Sequence, residues 1–309
     1  MGLLDVFRRK RSGPARADEE LFDDDFQKKL DQLALVSRRA FAGKLRAERR
    51  TKKSGSGVEF TDHRDYTEGD DLRYLDWNIY QRFGKLQLRL FEEEEDLSVY
   101  FVLDASLSMG FGDGDKLRQA KRIVAALAYV ALANLDRVAV SSASDVLERT
   151  MQPTRGKQRI FRVFDFLRGV RAEGVTDLGE ALRTFAARHK RRGLAVLVSD
   201  LYDPHGFERG INALRFAKFE VLVVHLVDER ESRPKLLGDL RVYDCETGEE
   251  RDVTVTPKIL ETYRLEHAKY REEIARFCRK KQVHHFAADV QIPFEELVLS
   301  VFRQGGFLR

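Results

Sequence analysis

The stretch from Leu97 to Met109, LSVYFVLDASLSM, constrains this chain more than any other. An apolar run of strand length ends abruptly there in an aspartate followed by two alternating serines. The run reads as a buried strand, with Asp104, Ser106 and Ser108 presented as oxygen groups at its carboxyl end. In open α/β sheets ligands bind at that end, where loops stand on a rigid scaffold and helix N-termini face the same crevice. Two hydroxyls and a carboxylate suit a hard divalent cation such as Mg²⁺, which takes oxygen ligands at about 2.0–2.1 Å and keeps several waters. Serine and aspartate also cap helices, so the triplet alone is a weak signal.

Comparable elements follow in alternation. Helical patterns cover Lys116 to Leu135, Lys157 to Val170, Asp177 to Lys190, about Pro204 to Phe216, Pro257 to Lys281 and Phe294 to Phe302. Between them, Arg137 to Ser141, Leu194 to Ser199, Phe219 to Val227 and the short HHFAA read as strands, and LRVYDCETGEERDVTVT as a hairpin turning at Thr247-Gly248. This predicts an α/β chain with a doubly wound, mostly parallel, Rossmann-like sheet covered on both faces. The expected organisation is a tail and basic amphipathic helices over 1–53, a small β-rich lobe over 54–95, and the α/β domain over 96–309.

The N-terminal part carries Leu21, Phe22, Phe26, Leu30, Leu33, Leu35 and Val36, then Phe41 and Leu45, at helical spacing, and its latter half is basic from Arg38 to Lys53. Such a run is usually a solvated face pairing with acids elsewhere; the sharper reading is contact with anionic lipid, nucleic acid or an acidic partner. In the lobe, Arg64, Asp70, Arg73 and Asp76 stand among Tyr66, Tyr74 and Trp77, and are expected to clamp the segment onto the domain behind it. A catalytic His63 with Asp62 or Asp65 is the weaker alternative, since no nucleophile motif accompanies it. His225 reads as a core or edge histidine, while His284 and His285, being adjacent, face opposite sides of a strand.

A net charge of +4 over 309 residues argues against a chain whose main task is coating nucleic acid. Cys245 and Cys278 have neither pairing nor metal-ligand spacing, which fits a reducing compartment. MGLLDVFRRKRSG lacks the pattern of a signal peptide, and no apolar stretch reaches the ~20 residues of a membrane span, so the expected location is the cytoplasm.

DxSxS at a strand end resembles the metal-ion-dependent adhesion site (MIDAS) of von Willebrand factor type A domains, which adds a distant Thr and a distant Asp. By that resemblance the missing members are Thr176, in EGVTDLGEAL, and Asp200, in LAVLVSDLYD. The preceding GVEF, Arg64-Asp-Tyr, EGDDLR, Asp76-Trp and Arg82 with KLQLRLFEEE look like the signature of the domain of unknown function 58 family, with Glu68 where the family has proline. That resemblance covers about 54 to 300. It implies a von Willebrand factor A-like domain holding Mg²⁺, with Mn²⁺ as the alternative, through Asp104, Ser106, Ser108, Thr176 and Asp200. It also implies a partner carboxylate at the open metal position, the partner being a MoxR-type AAA ATPase or another protein supplying an acid.

Two other function classes compete. A metal-assisted hydrolase or phosphatase using Asp104 would need a general base and a phosphate-binding cation. Lys116 is the one nearby basic candidate, and neither GxSxG nor a P-loop occurs, so no catalytic residue is assigned and no enzyme is expected. A membrane-surface or nucleic-acid binder would work through the basic 38–53 stretch, as a peripheral association.

Overall fold

The computed structural model describes residues 20–34, 50–53, 59–94, 97–112 and 114–304. The chain divides into two compact units, residues 38–96 and residues 1–37 with 97–309. The first is built on a three-stranded antiparallel sheet of β1 (Arg50–Lys53), β2 (Glu59–Asp65) and β3 (Gln87–Glu94), in the order β1-β3-β2. β1 falls where a basic helix was expected. Its register sets Arg50 opposite Glu94 and Lys52 opposite Glu92. The rest of the 38–53 stretch lies outside the described residues.

Within this unit the paired charges are local. Arg64 forks onto Asp70 at 2.6 and 2.8 Å, Arg73 pairs with Asp71 two residues away, and Asp76 caps the Trp77–Phe83 helix while its Oδ2 meets His63 Nε2 at 3.0 Å. These pairs shape turns within the unit, and Arg73 is 82% exposed.

The second unit carries a six-stranded sheet in the order β11-β8-β7-β4-β5-β6. Its strands are β4 (Ser98–Asp104), β5 (Arg137–Ala143), β6 (Leu147–Arg155), β7 (Leu194–Ser199), β8 (Glu220–Val227) and β11 (His284–Asp289). All neighbours are parallel except the β5–β6 pair. β4 and β7 are buried at every position, because helices cover both faces. Tyr100, Val102, Ala195, Leu197, Val221 and Val223 meet the helices Leu178–Arg188, Phe207–Phe216 and Pro257–Lys280 on one face. The Asp115–Ala133 helix, with its IVAALAYVALA half buried, covers the other. Full burial of such a side chain contributes about 1.5–3 kcal/mol. At Gly210 an added Cβ would meet Leu178 O at 2.7 Å, so glycine is what lets the 207–216 helix approach the 178–188 helix.

The helix at 24–34, grouped by sequence with the tail, belongs to this α/β unit. Phe22 stacks on Phe164 at 4.5 Å, Phe26 meets Phe294 at 4.6 Å, and Lys29 pairs with Glu295 at 2.7 Å. A separate two-stranded hairpin, β9 (Gly238–Tyr243) and β10 (Glu250–Val255), follows β8. Both cysteines are free, Cys245 exposed and Cys278 buried. Among the described residues no helix is long and apolar enough to cross a membrane.

Candidate functional site

β4 and β7 are adjacent in the sheet, yet β4 continues to β5 on one side and β7 to β8 on the other, so a crevice opens where the winding reverses. Asp104 is the last residue of β4 and is fully buried. Ser106 donates to its Oδ1 from the backbone N at 3.0 Å and from Oγ at 2.7 Å, while Ser199 Oγ donates to Oδ2 at 2.5 Å. Ser106 Oγ and Ser108 Oγ lie 3.0 Å apart, continuing a chain of oxygens toward the surface. Burial, and after it the charge of Asp200, push Asp104 up to about 7 against the pull of these hydrogen bonds.

The loop bearing Thr176 is stitched to this one. Leu107 N donates to Gly174 O at 3.1 Å, and Glu173 N donates to Ala105 O at 2.7 Å. Gly174 holds φ at 76° close against the Ser144 side chain, a position that disfavours any Cβ. Thr176 then donates from N at 2.9 Å and from Oγ1 at 2.6 Å to the two carboxylate oxygens of Glu246. Glu246 comes from the turn of the β9–β10 hairpin, where Asp244 Oδ1 accepts from Glu246 N and Thr247 N.

Asp200 follows β7 directly and is bonded not to Asp104 but to Lys116, whose Nζ donates to its Oδ2 at 2.9 Å. The same ammonium donates to Glu231 Oε1 at 2.5 Å and to the Ser108 carbonyl at 3.4 Å, with no exposed side-chain surface. Burial lowers the affinity of Lys116 for its proton, but Asp200 and Glu231 outweigh it and hold the ammonium above the ordinary lysine value. Phe111 and Tyr202 lie beside it, with ring centroids at 5.5 and 5.3 Å. Immediately after Asp200, the buried Leu201 adopts φ 62°, a left-handed conformation that costs a non-glycine residue about 1–2 kcal/mol. It is held there by Leu201 N on Ser199 Oγ at 2.8 Å and by Tyr270 OH on its carbonyl at 2.5 Å.

The match to known proteins covers most of this architecture. Residues 62–273 match the family described as protein of unknown function DUF58. The chain belongs to the DUF58 family. The uncharacterized proteins Rv1480 of Mycobacterium tuberculosis and Mb1516 of Mycobacterium bovis are each 25% identical to it over 271 residues, 86% of this chain and 85% of theirs. Among solved structures, the conserved hypothetical protein BatB from Bacteroides thetaiotaomicron superposes with a TM-score of 0.43 at 14% identity, over 68% of this chain and 99% of its own.

In this DUF58 chain, of the five expected residues Asp104, Ser106 and Ser108 form one bonded group, Asp200 is bonded to Lys116, and Thr176 sits on a loop bonded to the first group. Sequence reasoning missed Ser199, Glu231 and Glu246. Ser199 had a signal, being the hydroxyl beside Asp200 at the same strand end. Glu231 and Glu246 had none, since they arrive from segments 115 and 70 residues away from the groups they bond.

Among the described residues no group of three or more His, Cys, Asp and Glu side chains is placed to hold a metal ion. The expected set is of another kind, two carboxylates with three hydroxyls. Its chemistry suits a hard cation, and two observations agree with that. Asp200 and Glu231 share a single buried ammonium, and burial, then the charge of Asp200, keep a proton on Asp104 up to about pH 7. Glu231 Oε2 is moreover a buried acceptor without a hydrogen-bond partner.

His225 is a core residue: burial, then His285, push it down to about 3, and its Nδ1 lies 3.4 Å from His285 Nε2.

Proposed function

We propose that this chain is a metal-dependent protein-interaction module with a von Willebrand factor A-like adhesion site. Ser106 and Ser108 would ligate Mg²⁺, or Mn²⁺, through their hydroxyls, and Thr176, Asp104 and Asp200 directly or through bound water. The cation supplies a Lewis-acidic position that a partner's Asp or Glu completes. A MoxR-type AAA ATPase, in a chaperone or complex-assembly role, is the partner class this reading favours, and no catalytic residue is part of it.

The observation that carries the reading is the seat of Glu246. Thr176 already gives two hydrogen bonds to an acidic side chain delivered from a distant hairpin, so the crevice takes a carboxylate. Charge-assisted hydrogen bonds of this kind are roughly twice as strong as neutral ones, and a partly dry crevice strengthens them further.

The test is recovery of a MoxR-type ATPase from the same organism by wild type, by Asp104→Ala and by wild type in EDTA. Recovery by wild type with Mg²⁺, lost in the other two, is expected. Equal recovery in all three would be fatal to a metal bridge.

A further inference from the structure

The carboxyl ends of β8 and β11 open onto a second concavity, of about 1210 Å³. Its walls carry Arg230, Arg233, Lys235, Arg264, His267 and Arg271, and five permanent cations there face two carboxylates, Glu229 and Asp289. Two of the cations are committed: Arg230 to Asp228 and Asp115, and Arg233 to Glu229. Among the described residues Lys235, Arg264 and Arg271 have no ion-pair partner. Arg264, His267 and Arg271 recur at spacings of three and four residues, so they share one face of the Pro257–Lys280 helix. Seven residues at 1.5 Å each set Arg264 and Arg271 about 10 Å apart along the axis. Burial and then the charge of Arg271 push His267 below its ordinary value, so near neutrality its ring is uncharged, while its Nε2 meets Tyr202 OH at 2.8 Å.

We propose that this cleft binds an oligophosphate, an anion of linked phosphate groups. Guanidinium forks match phosphate oxygens in pairs, and two forks about 10 Å apart address separate groups of one extended anion better than a single small ion. Arg264 and Arg271, held on one wall, repel one another until such an anion arrives. The apolar lining is only Val227, Ala268 and Ala287. That is too little to anchor a peptide, whose binding rests on buried aromatic or large apolar side chains. The lining of the cleft includes none of Asp104, Ser106, Ser108, Thr176 and Asp200.

The experiment is calorimetric titration of sodium tripolyphosphate and of ATP into the full chain, in EDTA at near-physiological ionic strength. Saturable binding of tripolyphosphate is expected, with Arg264→Ala and Arg271→Ala each weakening it about ten- to hundredfold. Arg276→Ala, on the same helix but outside the cleft, should bind as wild type does. ATP binding as tightly as tripolyphosphate would identify a nucleotide tail, and tripolyphosphate binding alone a free polyphosphate. Absence of saturable binding, an equal loss in Arg276→Ala, or tighter binding of a hexaglutamate peptide would each overturn the proposal.

Discussion

Replacing Asp104 with asparagine isolates the electrostatics of the crevice. The carboxyl is fully buried, and its pKa stands at about 7 against an ordinary 3.8. A difference of about three pH units at 1.36 kcal/mol each corresponds to about 4 kcal/mol between the two protonation states. Because the folded value is raised, the contribution to stability is fully present below about pH 4. It is lost as pH rises through 7, where the folded protein must ionise a buried group that the unfolded chain ionises freely. Asparagine keeps the shape, and its Oδ1 can still accept from Ser106 N and Oγ while Nδ2 donates to Ser199 Oγ. In EDTA, urea unfolding at pH 5, 6, 7 and 8 should show wild type losing ground to Asp104→Asn by about 2.5 kcal/mol from pH 5 to pH 8, the rest of the roughly 4 kcal/mol being lost below pH 5; the altered hydrogen bond adds an offset of about 1 kcal/mol that is the same at every pH. Histidines that titrate in the same range are common to both proteins and cancel in the difference. Saturating Mg²⁺ at pH 8 should restore wild type and leave Asp104→Asn unchanged. A wild-type-minus-variant difference that is flat with pH would refute the reasoning, since it would mean that Asp104 is no more costly to ionise in the fold than in water.

Three further outcomes follow from the same geometry. Lys116→Met should cost about 3–5 kcal/mol in EDTA, because Asp200 and Glu231 lose their shared ammonium, and Mg²⁺ should recover part of the loss; a loss of stability blind to Mg²⁺ would place the cation away from Asp200. Glu246→Gln weakens the bonds on Thr176 and should raise partner affinity several-fold in a pull-down titration, as expected when an internal carboxylate competes with an external one; unchanged affinity would mean that the two carboxylates use different seats. Arg73→Ala should leave the urea midpoint where it is, and Arg64→Ala should lower it, because Arg73 pairs with a near neighbour in solvent whereas Arg64 and Asp70 close the 64–70 turn.

Which parts of this molecule could be read from its sequence follows from how each part is stabilised. β4, β7 and β8 read as strands because a parallel strand covered on both faces must be apolar at nearly every position, as SVYFVLD, LAVLVS and EVLVVHLV are. β6, LERTMQPTR, was missed for the converse reason: it is the antiparallel edge of the sheet, mostly solvent-facing, and Pro153 is tolerated only because an edge strand need not donate on both sides. β1 was missed because its pairing is with glutamates some forty residues downstream, a contact that no local periodicity records.

The site divides along the same line. Asp104, Ser106 and Ser108 are two residues apart and form one bonded string, so their spacing carries their chemistry. The groups that complete the crevice bond across 70 to 115 residues: Glu246 to Thr176, Asp200 and Glu231 to Lys116, and Ser199 to Asp104. Their identity as acids or hydroxyls is common on any surface, and only the fold gives them partners. Lys116 shows what this changes. In the sequence it was the one nearby cation of the kind a phosphatase would need. In the structure its three bonds are all to oxygens of the crevice, two of them carboxylate, at zero side-chain exposure, which makes it a fixed internal counter-charge. A divalent cation entering beside Asp104 must therefore share Asp200 with an ammonium already bound. Its affinity should depend on how far Lys116 can shift toward Glu231, whose second oxygen is free to receive it.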